Sequence, residues 1–226
     1  MRLKGYRFPT DIILQSVRWY LRYSLSYRDL EEMLEERGVF VDHTSIFRWV
    51  QRCTPLLLGA FKKHKSLVGD RWRLDETYVK VNGEHRYLYR AVDKAGDTVD
   101  FLLTAHRDRD AARRFLEKAI GQNGAPSLIN IDKSGANQAG IEDYNDTHDG
   151  PAIEIRQCKY LNNIVEQDHR SIKRRVRSML GFKSFRTATV VLGGIELVHM
   201  LRKGQLASAE GATPVSAAAA FYQLAA

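Results

Sequence analysis

Three acidic residues stand where an ionised carboxylate needs a reason. Asp75 interrupts the strand-like run WRLDETYVKV, where burial makes a charge costly unless something compensates it. Its neighbour Glu76 points to the opposite face of the same strand, so only one of the pair is expected to face a given site. Asp132 ends the apolar run SLINI at the carboxyl end of a strand, the edge where ligands of open α/β sheets collect. Glu166 lies in KYLNNIVEQDHRSIKRRVRSM. On a helix, Glu166, Arg170, Lys173 and Arg177 fall within an arc of about 60°, while Val165, Ile172, Val176 and Met179 gather on another. A Glu166–Arg170 ion pair at i, i+4, worth roughly a few tenths of a kcal/mol, would account for Glu166 by itself. Carboxylates from distant strands and a helix, meeting under a basic surface, are also what divalent-metal phosphodiester chemistry requires. Hard Mg²⁺ prefers oxygen ligands, and two ions roughly 3.5–4 Å apart activate the attacking oxygen and stabilise the leaving one. Mn²⁺ suits the same donors.

Other chemistries find little support. The histidines at 43, 64, 85, 106, 148, 169 and 199 are scattered, and the two cysteines, Cys53 and Cys158, have no CxxC partner, which suggests neither a structural zinc site nor a disulfide framework. No GxxxxGK[ST] loop is present. The remaining acids have structural explanations. Asp93 and Asp97 belong to a turn, Asp108 and Asp110 to a helix N-terminus, and Asp143, Asp146 and Asp149 to a solvated loop.

The chain has 226 residues, 44% hydrophobic and 27% charged, enough for one large or two small domains with a real core. That composition excludes a disordered tail, a collagen-like fibre and a stapled mini-protein. No run reaches the roughly 18–20 apolar residues of a bilayer span, so a soluble, cytoplasmic protein without a membrane partner is expected. The net charge of +8 is unevenly spread: +6 over 1–74, −5 over 75–154 and +7 over 155–226. Basic ends around an acidic middle suit a protein that holds a polyanion while concentrating carboxylates at one place, and nucleic acid is the first partner to consider.

The elements that must position these residues are legible in outline. TDIILQSVRWYLRY and SYRDLEEMLEERG read as two amphipathic helices, the second opened by a Ser26–Asp29 capping box and stopped near Gly38. Asp42 caps a third helix running to about Arg52. There Ile46, Trp49 and Val50 share the buried side, while Ser45, Arg48 and Arg52 lie outside, as the recognition helix of a helix-turn-helix requires. From Trp72 the pattern alternates. Three strand-like runs separated by VNGEH and DKAGD read as an antiparallel meander. Helix, strand, helix, strand and a long basic helix over 162–178 follow, giving a mixed sheet with flanking helices. An apolar helix over 185–201, read as core, comes next, and then an Ala-rich, weakly specified tail.

Three stretches, WRLDETYVKVNG, INIDKSGANQAGI and KYLNNIVEQDHRSIKRRVRSMLGFKSF, with 33 residues between Asp132 and Glu166 and six between Glu166 and Lys173, closely resemble the short bacterial insertion-sequence transposases of the DDE type. The likeness is to the IS-six (IS-twenty-six-like) group and covers about residues 5–205. It implies a helical helix-turn-helix domain over 1–66 that reads terminal inverted repeats. It further implies a ribonuclease-H-like (retroviral-integrase-like) α/β catalytic domain over 67–205, and leaves 206–226 as a low-complexity tail. It makes Asp75, Asp132 and Glu166 the catalytic, metal-binding triad, and it is the resemblance that chooses Asp75 over Glu76. Lys173 becomes the basic residue that holds DNA near the cut, beside Arg170, Arg174 and Arg177. Wider DDE families often carry an Arg shortly before the Glu, where this chain has Asn162 and Asn163. The implied activity is cleavage by metal-activated water, then attack of the 3′-hydroxyl on target DNA and movement through cointegrates. Implied partners are two Mg²⁺ ions, double-stranded DNA of element ends and target, and a second copy of the chain in a dimer or larger assembly, in a nucleoid-associated bacterial protein.

If the helix from Asp42 reads bases, Arg48→Ala relaxes sequence preference and costs about 1–3 kcal/mol on the specific duplex. Replacement of Lys173 instead weakens binding to any duplex and lowers the salt slope by about one. Quantitative binding to specific and random duplexes over a salt series separates the two, and equal losses for Arg48→Ala on both would remove the recognition helix.

Overall fold

The computed structural model describes residues 7–179, 181–207 and 215–225. Two compact units emerge, one from Leu67–Lys173 and the other from the described residues of Met1–Ser66 and Arg174–Ala226.

The helical unit opens with α1 (Thr10–Arg22), α2 (Tyr27–Glu35) and α3 (His43–Lys63). Ser26 and Asp29 form the reciprocal capping box expected of them: the Asp29 amide donates to Ser26 Oγ and the Ser26 amide to Asp29 Oδ2. Gly38, at φ +72°, takes the left-handed conformation that ends α2. Asp42 caps α3 by accepting from the amides of Thr44 and Ser45. The helix does not stop near Arg52 but runs to Lys63 with Pro55 inside it. An interior proline costs about 3 kcal/mol, and here burial of Cys53, Leu57 and Phe61 against the last long helix outweighs it.

That helix, α7 (Phe185–Arg202), is apolar nearly all round and buries eleven residues, Ala188 through Leu201, as a helix with a central position must. It lies in the same unit as α1 and α3 and contacts both. Close approach depends on Gly194, where a Cβ would stand 2.5 Å from Leu21 Cδ2 and 2.8 Å from Thr54 Cγ2. The Ala-rich segment beyond Gln205 holds a short helix, α8 (Ala217–Gln223), capped by Ser216 and buried through Ala220 and Phe221. It packs on α7. No described helix is long and apolar enough to cross a membrane.

The second unit is built on a five-stranded sheet, β1 (Arg71–Val81), β2 (Glu84–Asp93), β3 (Thr98–Thr104), β4 (Leu128–Ile131) and β5 (Glu154–Gln157). Spatial order is β3-β2-β1-β4-β5. The first three strands form the expected antiparallel meander, turned at Asn82–Gly83 with φ +51° and +81°, the signature of a tight hairpin. β4 joins β1 in parallel and β5 joins β4 in parallel. This is the mixed sheet, with helices on its face, that the sequence pattern implied.

Helices α4 (Arg109–Asn123) and α5 (Gly135–Thr147) cover one face. Trp72, Leu74, Tyr89, Ala91, Ile129 and Ile131 meet Ala112, Phe115, Leu116 and Ile141 there. Gly140 brings the two helices together, since a Cβ on it would lie 2.8 Å from Ala112 Cβ and 3.0 Å from the Arg113 amide nitrogen. Two groups of structural acids do what the sequence suggested: Asp93 accepts from the amides of Gly69, Ala95 and Asp97, and Asp108 caps α4. Asp143 and Asp146, expected in a solvated loop, lie instead in α5, because that helix runs on to Thr147, and Asp143 pairs with Arg113 of α4.

The long basic helix, α6 (Asn163–Ser178), follows a 3₁₀ turn. It seats Val165 and Ile172 in the core and carries Asp168, whose Oδ2 lies 2.8 Å from Nη1 of the fully buried Arg90 on β2. Burial pushes the Arg90 guanidinium down to about 10, and the Asp168 charge opposes that shift, so the cation persists at neutral pH. Removing one member of a buried pair costs about 3–5 kcal/mol. Asp168→Ala is therefore expected to lower unfolding free energy by about that amount, and Asp168→Asn by less, as read from denaturant titration.

Candidate active site

The pairing of β1 with β4 decides where two of the acids meet. Arg71, Trp72 and Arg73 stand opposite Leu128, Ile129 and Asn130, a constant offset of 57 positions. Asp75 and Asp132 share that offset: Asp132 directly follows the end of β4, and Asp75 lies within β1 two residues past the last paired position. Both line one cleft of about 230 Å³, with Glu76, Thr77, Tyr78, Tyr87, Arg107 and Lys173.

Strand alternation sends the two side chains to opposite faces, Asp75 toward His169 of α6 and Glu76 toward Asn137 of α5, although both residues border the cleft. β4 ends at Ile131 while β1 continues to Val81. Beyond Leu74 the β4 side of β1 is therefore an open edge, and side chains from both faces border the same hollow. Their roles nevertheless differ. The Glu76 side chain is only 4% exposed, pairs with Arg107 Nε and accepts from Asn137 Nδ2 at 2.7 Å. Burial pushes its carboxyl pKa upward, against the pull of Asn137 and Arg107. Asp75 is half-buried, with Oδ2 3.3 Å from His169 Nδ1 on α6.

Arg107 is the cleft residue that the sequence did not reveal. It follows β3 and precedes α4, and its Nη2 donates to Ser134 Oγ at 3.3 Å. No spacing in the HRDRD run ties it to Glu76, 31 positions earlier on another strand; only the folded sheet does. Asn162, by contrast, is a structural tie. It is 2% exposed, accepts from Asn130 Nδ2 at 2.7 Å and donates to the Leu74 carbonyl at 3.3 Å, joining the start of α6 to β1 and β4.

Lys173 places its Nζ 4.6 Å from the Tyr78 ring centroid, at the edge of the cleft. Glu166 is half-buried in the first turn of α6, on the same arc as Lys173 and about 10.5 Å back along the axis. It does not line the cleft, and among the described residues no three His, Cys, Asp or Glu side chains are grouped closely enough to hold a metal ion. The geometry thus brings Asp75, Asp132 and Lys173 together and leaves Glu166 on the adjoining helix face. Two carboxylates at one cleft, without thiolate ligands, form an oxygen donor set that fits a hard divalent cation. Arg170, Arg174 and Arg177 are exposed on α6.

In the helical unit Arg48 and Arg52 are exposed on α3. Ser45 is more committed: its hydroxyl donates to Asp42 Oδ2 at 2.8 Å, reinforcing the helix cap.

Residues 69–205 match the family model DDE_Tnp_IS240, described as a DDE domain. The chain is 40% identical over 203 residues to the transposase for insertion sequence-like element IS431mec of Staphylococcus aureus (strain Mu50 / ATCC 700699), covering 87% of each chain. It is 39% identical over 203 residues, again 87% of each, to the transposase for insertion sequence element IS257 in transposon Tn4003 of Staphylococcus aureus. Among solved structures, the HTLV-2 integrase catalytic core domain in complex with magnesium (dimeric form) aligns with 59% of this chain and 88% of its own, at 18% identity and a TM-score of 0.45. The matched stretch contains Asp75, Asp132, Glu166 and Lys173, and with the relatives' coverage it settles the family: the chain belongs to the IS-six family of DDE transposases.

Proposed function

We propose that the chain binds the terminal inverted repeats of its element, cuts a phosphodiester there to release a 3′-hydroxyl, and joins that hydroxyl to target DNA, forming cointegrates. The observation that carries this reading is the meeting of Asp75 and Asp132 at one cleft, bordered by the cations Lys173 and Arg107.

Asp75 and Asp132, with Glu166 from α6, would hold two Mg²⁺ ions, with Mn²⁺ able to substitute. When bound, the ions supply activation of the attacking oxygen and charge stabilisation of the leaving one. The protein's own groups do the rest. Lys173, kept beside Tyr78, offers a point charge to a DNA phosphate at the cleft. Arg107, with Nε and Nη2 occupied by Glu76 and Ser134, presents a fixed guanidinium to the same backbone. Arg170, Arg174 and Arg177 extend the positive surface along α6. Ser45, Arg48 and Arg52 of α3 would select the element end, with Ser45 acting chiefly through the cap it shares with Asp42. Because two ends must be joined, the working species is a dimer or larger assembly on DNA. The bacterial cytoplasm, at the nucleoid, is where such a substrate is met.

Strand transfer on a labelled duplex carrying the element's end is expected with Mg²⁺ or Mn²⁺ and absent with EDTA. Asp75→Ala is expected to reduce both cleavage and joining to background while binding that duplex nearly as tightly as the parent protein. Full metal-dependent cleavage by the variant would remove Asp75 from the triad, and cleavage without joining would point to a nuclease.

A further inference from the structure

Two consecutive side chains of α6 bind the sheet beside the proposed catalytic acid, and neither has a part in the reaction described above. Asp168 meets Arg90 at 2.8 Å, and His169 Nδ1 lies 3.3 Å from Asp75 Oδ2. Their two partners are themselves a cross-strand pair, Asp75 opposite Arg90 in the β1–β2 ladder, so both project from the same face of the sheet. The four side chains are enclosed: relative exposure is 0% for Arg90, 9% for Asp168, 7% for His169 and 16% for Asp75. Polar groups enclosed to that degree are normally retained for the partners they hold. The contacts fall within one turn of Glu166 on the same helix.

An ionised carboxylate only accepts hydrogen bonds, so a hydrogen bond across the 3.3 Å contact between His169 and Asp75 would need the proton on Nδ1. A carboxylate with one oxygen held in that way would lose its freedom to rotate about the Cβ–Cγ bond, and partners of that kind orient metal ligands throughout metalloprotein chemistry. We propose that His169 is a positioning residue for the metal site: it fixes the Asp75 carboxylate through Nδ1, while the adjacent Asp168–Arg90 pair locks α6, and hence Glu166, at a set height on the sheet. The inference rests on the reading of Asp75 as a metal ligand. It assigns a function to a histidine that composition and spacing leave scattered, and it ties the placement of the third acid to the first.

The test is Mn²⁺ affinity of the purified full-length protein, read from the electron paramagnetic resonance signal of free Mn²⁺, with thermal unfolding to identify folded variants. Asn carries its amide nitrogen near the position of Nδ1, whereas Gln carries it near Nε2; both remove the imidazole ring and any packing it supplies. His169→Gln, with His169→Ala as a second loss variant, is expected to weaken Mn²⁺ binding about 10–100-fold, and His169→Asn to stay within about threefold of the parent. Equal affinity in all variants, or equal loss in Asn and Gln, would overturn the positioning role. Asp75→Asn is the control: if it binds Mn²⁺ like the parent, the assignment of Asp75 as a ligand fails and the role of His169 falls with it. If Asp75→Asn loses binding while His169→Gln keeps it, only the role of His169 falls.

Discussion

The catalytic unit depends on one backbone pairing, the parallel ladder between β1 and β4. Parallel strands keep a constant register offset, and the offset of 57 set by Arg71–Leu128 carries two acids, distant in sequence, to one cleft. A slip of one residue would send Asp132 to the other face of the sheet. The ladder is held by what flanks it. Trp72 and Ile129 pack under α4 and α5, and Asn130 and Asn162 bind each other beneath the start of α6. A central position between β1 and β5 buries all four residues of β4, and Asn130, the polar one among them, has its amide satisfied by Asn162 and the Cys158 carbonyl.

The same ladder also creates the cleft by ending. β4 ends at Ile131 while β1 runs on to Val81, and the cleft opens beside Asp75. Charge within it is arranged in opposition. Asp75, Glu76 and Asp132 repel one another, and Glu76, the most enclosed of them, is shifted toward its neutral form by burial. Arg107 is drawn in against it. An enclosed carboxylate that already holds an arginine is a poor metal ligand and a good anchor, which is a physical basis for distinguishing Glu76 from Asp75.

The helical unit follows different physics. Its stability comes from interlocking apolar helices, and its most buried element, α7, comes from the far end of the chain. The close approach at Gly194 and the continuation of α3 past Pro55 are two consequences of one packing arrangement, in which α7 supplies the apolar surface that a three-helix head of about 50 residues lacks. A chain that returns to its own beginning ties α3 to residues more than a hundred positions away.

Local signals were enough to place most elements. Side-chain periodicity, the Ser26–Asp29 box, the Asp42 cap and the Asn82–Gly83 turn depend on neighbours within a few residues, and each stands in the structure as the sequence suggested. The three long motifs determined the family, because ordered residue identity over many positions carries far more information than any single carboxylate. Tertiary structure alone decided what depends on distant contacts. It carried α3 through a proline by burying Leu57 and Phe61, gave the Ala-rich end a helix to pack on, brought both Asp75 and Glu76 to one cleft, and delivered Arg107 and His169 to the two acids. No local rule predicts those contacts, since each requires strands or helices dozens of residues apart to be paired first. Residue types and spacing thus determined the chemistry available to this chain, and the register of β1 on β4, with the seating of α6, decided which groups could take part in it.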